Sequence, residues 1–203
     1  MILAFFHGVI LALGLILPLG VQNVFVFNQG AVQPTAARML PAVIAASLCD
    51  TLLILLAVGG VSVLVLSIAW VKTGLISVGV AFLLYAGWLT WNTTQQPQSD
   101  QQDAASWTIK RQIVFAVSVS LLNPHAIMDT IGVIGTSSLS YTGTAKTAFV
   151  AACILVSWVW FCFLAIAGKL VRSSDHSGRL IQGINRVSAV IMWLSAAYLL
   201  LSL

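Results

Sequence analysis

Two carboxylates sit where an apolar chain has least use for them. Asp50, in Ser47-Leu48-Cys49-Asp50-Thr51, and Asp129, in Asn123-Pro124-His125-Ala126-Ile127-Met128-Asp129-Thr130, are the only acidic residues inside long hydrophobic runs, and the chain has no Glu. Placing a carboxylate at the centre of a bilayer costs about 2.5–3.5 kcal/mol on insertion scales. Facing an aqueous cavity, each could bind a cationic group or carry a proton. Burial favours the neutral acid and a nearby cation favours the anion, so one carboxyl can exchange a proton for a basic substrate. The bland alternative is a polar group hydrogen-bonded to a neighbouring helix.

Amides accompany the carboxylates. Gln22 and Asn23 follow Pro18 in Leu17-Pro18-Leu19-Gly20-Val21-Gln22-Asn23, and Asn123 precedes Pro124. A proline removes a backbone donor and clashes with the preceding turn, so helix breaks are expected at Pro18 and Pro124. In hydrocarbon such open backbone is tolerated only where protein or a water-filled cavity surrounds it, and an exposed half-helix N-terminus suits a substrate carboxylate. Amides, opened backbone and carboxylates together suit a zwitterion carrying an extra positive charge. The amides would serve equally well as hydrogen bonds between helices. His125 could relay a proton or cap opened backbone, while His7 and His176 read as structural or solvated. Asn23 lies five residues after Pro18 and Asp129 five after Pro124. One break with a polar side chain per half is the pattern of a transporter built from repeats, with its site between them.

Other chemistries lack their residues. Metal binding wants clustered ligands, and three scattered His with dispersed Cys do not supply them, so no metal or cofactor is expected. Cys49, Cys153 and Cys162 form no C-x-x-C pair and read as small buried hydrophobes. Neither G-x-S-x-G, H-E-x-x-H nor a P-loop spacing occurs.

The elements that must hold these residues are apolar helices. The chain is 60% hydrophobic and 7% charged, with a mean hydropathy of +1.02, against roughly 25% charged residues in soluble domains. Its partner is the lipid bilayer. Met1 to Phe27 has no Lys or Arg before its core, so it reads as a retained helix rather than a cleaved signal. The net charge of +4 is spread over loops without the stripe that nucleic acid requires, so no nucleic-acid partner is expected. A span needs about 20 apolar residues. Six segments qualify: Ile2–Phe27, Met39–Ser67, Val71–Trp91, Gln112–Leu139, Thr147–Leu170 and Leu180–Leu203.

Residues 92–110, rich in Gln, Ser, Asp and Thr, read as a hydrophilic cytoplasmic linker. Residues 1–91 and 111–203 are then two three-helix repeats, and because three is odd the second is inverted. The fold class expected is an all-α membrane protein of six transmembrane helices, with helices 1 and 4 broken at their prolines. Arg38, Lys110, Arg111, Lys169, Arg172 and Arg179 fall in one set of loops and Lys72 and Lys146 in the other, which places the first set in the cytoplasm and both termini outside. Gly-rich helix faces allow close packing and would permit a homodimer. Trp70, Trp88, Trp91 and Trp107 lie near predicted helix ends, and Trp158, Trp160 and Trp193 fall deeper.

Pro18-Leu19-Gly20-Val21-Gln22-Asn23, the run Asp50-Thr51-Leu52-Leu53-Ile54, and Leu122-Asn123-Pro124-His125 with Asp129-Thr130 resemble the lysine/arginine exporter (LysE/ArgO) family of bacteria. The likeness covers nearly the whole chain in length, helix count and motif order. It departs at Val21, where the family pattern usually has a second proline, so the first opening is expected to be shallower. The resemblance implies efflux of arginine or lysine across the bacterial cytoplasmic membrane, driven by the proton gradient or the membrane potential. The related homoserine/threonine exporters tend to lack the Asn-Pro-His block, which favours a basic substrate.

On that reading Asp50 and Asp129 bind the cationic head and couple protons with His125. Gln22, Asn23 and Asn123 hold the amino-acid backbone, and Pro18 and Pro124 hold the breaks. The nearest alternative is a neutral amino acid exporter whose carboxylates serve only coupling. A scaffold is disfavoured by the matched prolines, and an intramembrane enzyme using His125 and Asp129 by the missing nucleophile.

Overall fold

A computed structural model describes residues 1–18, 20–60, 69–93, 107–174 and 179–201; the side chains of Pro124 and His125 lie outside that description, as do His176 and most of the expected linker. The described residues are helical, without strands: α1 Ile2–Ile16, α2 Val21–Val32, α3 Ala36–Val58, α4 Ala69–Thr93, α5 Ile109–Leu121, α6 Pro124–Asp129, a π-helical turn Thr130–Gly135, α7 Thr136–Ser138, α8 Gly143–Ser174 and α9 Arg179–Leu201.

α3 and α8 are each long and apolar enough to cross a membrane. The α1–α2 pair bends by 81° and the pair running from α5 into α6 and α7 by 59°; counting each pair as one span gives four. Six are not reached by length and composition among the described residues. Among the described residues α4 also carries an apolar stretch, Ile76–Asn92. Several basic residues expected in loops sit on helix ends instead: Arg38 lies in the first turn of α3, Lys110 and Arg111 in the first turn of α5, and Arg172 in the last turn of α8.

α8 is the central post, packed against α1, α2 and α3, while α9 pairs with α4. Glycines bring the post close. A Cβ on Gly8 of α1 would lie 2.6 Å from the Phe149 carbonyl of α8, and one on Gly30 of α2 would strike the Ala165 backbone. Gly168 of α8 meets the Phe27 carbonyl in the same way. Gly14, Gly74 and Gly132 face open space, so close approach applies to some of the glycines and not to all.

Three apolar clusters fill the seams. Phe25, Val26, Ala42 and Phe161 join α2, α3 and α8; Val21, Leu83, Val119 and Met192 join α2, α4, α5 and α9; Ala12, Ile54, Ile134 and Phe149 join α1, α3, the π-turn and α8. Outward faces are apolar too: Leu48, Leu52 and Leu55 on α3 and Leu155, Val159 and Ile166 on α8 are exposed. Lipid contact explains such faces. Cys49 and Cys153 are buried as expected, but Cys162 lies on this outer face of α8.

Candidate functional site

The two bends open toward each other. At the first, the α1 ladder runs out with the Leu17 amide bonded to Leu13. Pro18 has no N–H to continue it. The chain then turns through an extended Gly20, whose N–H donates to the Pro18 carbonyl at 2.8 Å, and α2 begins at Val21. Asn23 folds back over the turn. Its Nδ2 donates to the carbonyls of Ile16 at 2.6 Å and Pro18 at 2.9 Å, and its Oδ1 accepts from Trp160 Nε1 at 3.3 Å.

At the second bend α5 ends at Leu121, and Asn123 caps α6 by accepting from the Ala126 amide at 3.5 Å. Pro124 takes the first helical position, where its missing N–H costs nothing. Six residues later the ladder widens into the π-turn, a form frequent at functional sites. Thr130 Oγ1 donates to the Ala126 carbonyl at 2.7 Å across this junction.

Between the bends lies a cavity of about 240 Å³. Its lining includes Pro18, Gln22, Asn23, Asp50, Asn123 and Asp129, residues from both halves of the chain, together with Ser157 and Phe161 of α8 and Met192 and Ser195 of α9. The cavity volume lies just below the roughly 300–1,000 Å³ usual for small-molecule pockets. Asp50 is fixed by Gln22, 8% exposed, whose Nε2 donates to Asp50 Oδ1 at 3.0 Å and approaches the Ala46 carbonyl at 3.5 Å. The charged residues of the lining, among the described residues, are Asp50 and Asp129, with no Lys or Arg. A carboxylate pair in such surroundings attracts a cation, and a guanidinium or ammonium brings the donors it lacks.

The chain belongs to the LysE type translocator family. That family's model matches residues 13–203, and membership makes the protein an integral membrane transporter and not an enzyme. Among its relatives in the family is the protein named "Putative amino-acid transporter YisU" of Bacillus subtilis, 58% identical over 200 residues that cover 98% of this chain and 90% of that one. The arginine exporter proteins ArgO of Serratia proteamaculans and Pectobacterium carotovorum are 33% and 30% identical, each alignment covering 95% of this chain and 94% of the relative. No solved structure matches the chain.

Within this translocator fold, the expected site residues fall into two groups. Gln22 and Asp50 pair directly in the cavity wall, while the amides of Asn23 and Asn123 face the cavity but are engaged with backbone at the bends. The matched five-residue offset does not survive as local equivalence. Counted from the start of the half-helix, Asn23 is the third residue of α2 and Asp129 the sixth of α6. Ser157, Phe161, Thr130 and Ser195 escaped the sequence reading. A serine in an apolar helix turns inward for want of a lipid partner, which flags Ser157 but cannot say which cavity it meets. His7 lies elsewhere, its Nδ1 2.9 Å from the Tyr141 hydroxyl.

Proposed function

We propose that this transporter exports basic amino acids, L-arginine, L-lysine or both, across the bacterial cytoplasmic membrane, coupled to the proton gradient or the membrane potential. The observation that carries the reading is the cavity whose charged lining residues, among those described, are the two carboxylates Asp50 and Asp129. Relatives named as arginine exporters at about 30% identity support it. In this mechanism Asp50, oriented by Gln22, and Asp129 receive the cationic head and exchange protons for it, with His125 as relay. Asn23 and Asn123 hold the bends, and the backbone amides of the α2 N-terminus meet the substrate carboxylate. Each bent pair forms one broken span, with α3, α4, α8 and α9 the other four. Residues 1–91 and 111–203 are inverted repeats joined by the cytoplasmic linker 92–110.

Counterflow in proteoliposomes tests the substrate. Vesicles loaded with unlabelled arginine, lysine or threonine are offered the same labelled amino acid outside. Accumulation of arginine or lysine, lost in Asp50→Asn, is the expected result. Accumulation of threonine alone moves the protein to the neutral alternative.

A further inference from the structure

We propose that Trp160 and Trp158, neighbours on the post helix α8, are positioning residues that set the first bend and the Asp50 helix at a fixed separation. This rests on the reading of the cavity as the substrate site. Neither indole lines the cavity, whereas Ser157 and Phe161 beside them do. Trp160 Nε1 donates to Asn23 Oδ1 at 3.3 Å. Trp158 Nε1 donates at 3.1 Å to Oγ1 of Thr51, the residue after Asp50, and that hydroxyl donates onward to the Ser47 carbonyl at 2.8 Å. One turn of α8 therefore holds both walls of the site through two indole donors.

The chemistry at Asn23 leaves one arrangement. An indole N–H can only donate and a backbone carbonyl can only accept. A carboxamide turned the other way would set its oxygen against the Ile16 and Pro18 carbonyls and its NH2 against the indole proton. Asp in place of Asn could not donate to either carbonyl. Trp160 thus locks the orientation in which the Asn23 amide closes the bend. The turn so closed carries Gln22, which in turn fixes the Asp50 carboxylate. Above and below this latch, α1 and α2 are seated on α8 at Gly8 and Gly30, so the bend between them is where a lost hydrogen bond can be felt.

The test is arginine counterflow by full-length Trp160→Phe, Trp158→Phe, Asn23→Ala and Trp160→Phe/Asn23→Ala, each compared for folded yield. Phe at position 160 keeps an aromatic ring beside Phe163 and removes the indole N–H. The expected result for either single tryptophan variant is a half-saturation concentration raised about three- to tenfold, the weight of one hydrogen bond, with unchanged folded yield. Trp160→Phe should add nothing to Asn23→Ala. A lower yield with wild-type half-saturation, or full additivity with Asn23→Ala, overturns the proposal. If wild-type protein moves neither arginine nor lysine, the substrate reading fails and amide hydrogen exchange decides the brace. Faster exchange across residues 17–24 in Trp160→Phe supports it, and unchanged exchange overturns it.

Discussion

The two bends meet one physical demand in opposite ways. A helix interrupted in an apolar medium leaves carbonyls on one side and amides on the other without partners. At the first bend a side chain from beyond the break reaches back: Asn23 serves the carbonyls of Ile16 and Pro18 and is itself held by Trp160 of α8. At the second, Asn123 serves the amide side, capping Ala126, and the helix relaxes further on through the π-turn. The first bend, 81°, is clamped on α8 through glycines; the second, 59°, leaves Gly132 in open space. The contrast is in how the ends are satisfied: the first bend is closed by a side chain reaching back from beyond the break, the second by a helix cap and a π-turn whose Gly135 packs on the Ala57 backbone.

The largest effect expected lies in the carboxylates that the two bends face. Asp50→Asn and Asp129→Asn should each insert and fold yet lose about a hundredfold or more in arginine counterflow, the order of the 3–5 kcal/mol lost when one member of a buried charge pair is removed. Wild-type rates in either would take that residue out of the mechanism. Next in size is Gly30→Ala, whose Cβ meets the Ala165 backbone. It should destabilise by about 1–3 kcal/mol, visible as earlier thermal unfolding in detergent.

Asn23→Ala, which strands the Ile16 carbonyl and leaves the Pro18 carbonyl only the Gly20 amide, should cost about 1–3 kcal/mol, more than Asn123→Ala, where one helix cap is lost at about 1 kcal/mol. Equal or reversed losses would show that the first bend is not the better secured. The smallest effect is at Gly132. Alanine there meets nothing within 4 Å and should raise stability by roughly 0.5–1 kcal/mol through helix propensity. Transport slowed without loss of affinity would mark the π-turn as a moving part; unchanged turnover would remove that role from it.

Much of the site could be read along the chain because it rests on local chemistry. An Asp in an apolar run, or a proline in the middle of one, is conspicuous wherever the chain later folds, and Pro18, Asp50, Asn123 and Asp129 do line one cavity. Asn23, expected to hold the amino-acid backbone, lines the cavity with its amide bonded to Ile16, Pro18 and Trp160, contacts that no local pattern announces. The matched spacing of Asn23 and Asp129 after their prolines did not reveal that α2 starts three residues after Pro18 while α6 starts on Pro124 itself.

Composition was enough for lipid as the solvent and helices as the elements, because the scarcity of charge needs no neighbour to act. Folding alone made α8 the post, seated α1 and α2 on it through Gly8, Gly30 and Gly168, and paired Trp160 with Asn23 across 137 residues of chain. Lipid-facing residues and most packed ones are alike apolar, so beyond inward polar groups such as Gln22, Ser47 and Ser157 little in the sequence marks which face meets which helix; close contact and hydrogen-bond geometry decide it in three dimensions.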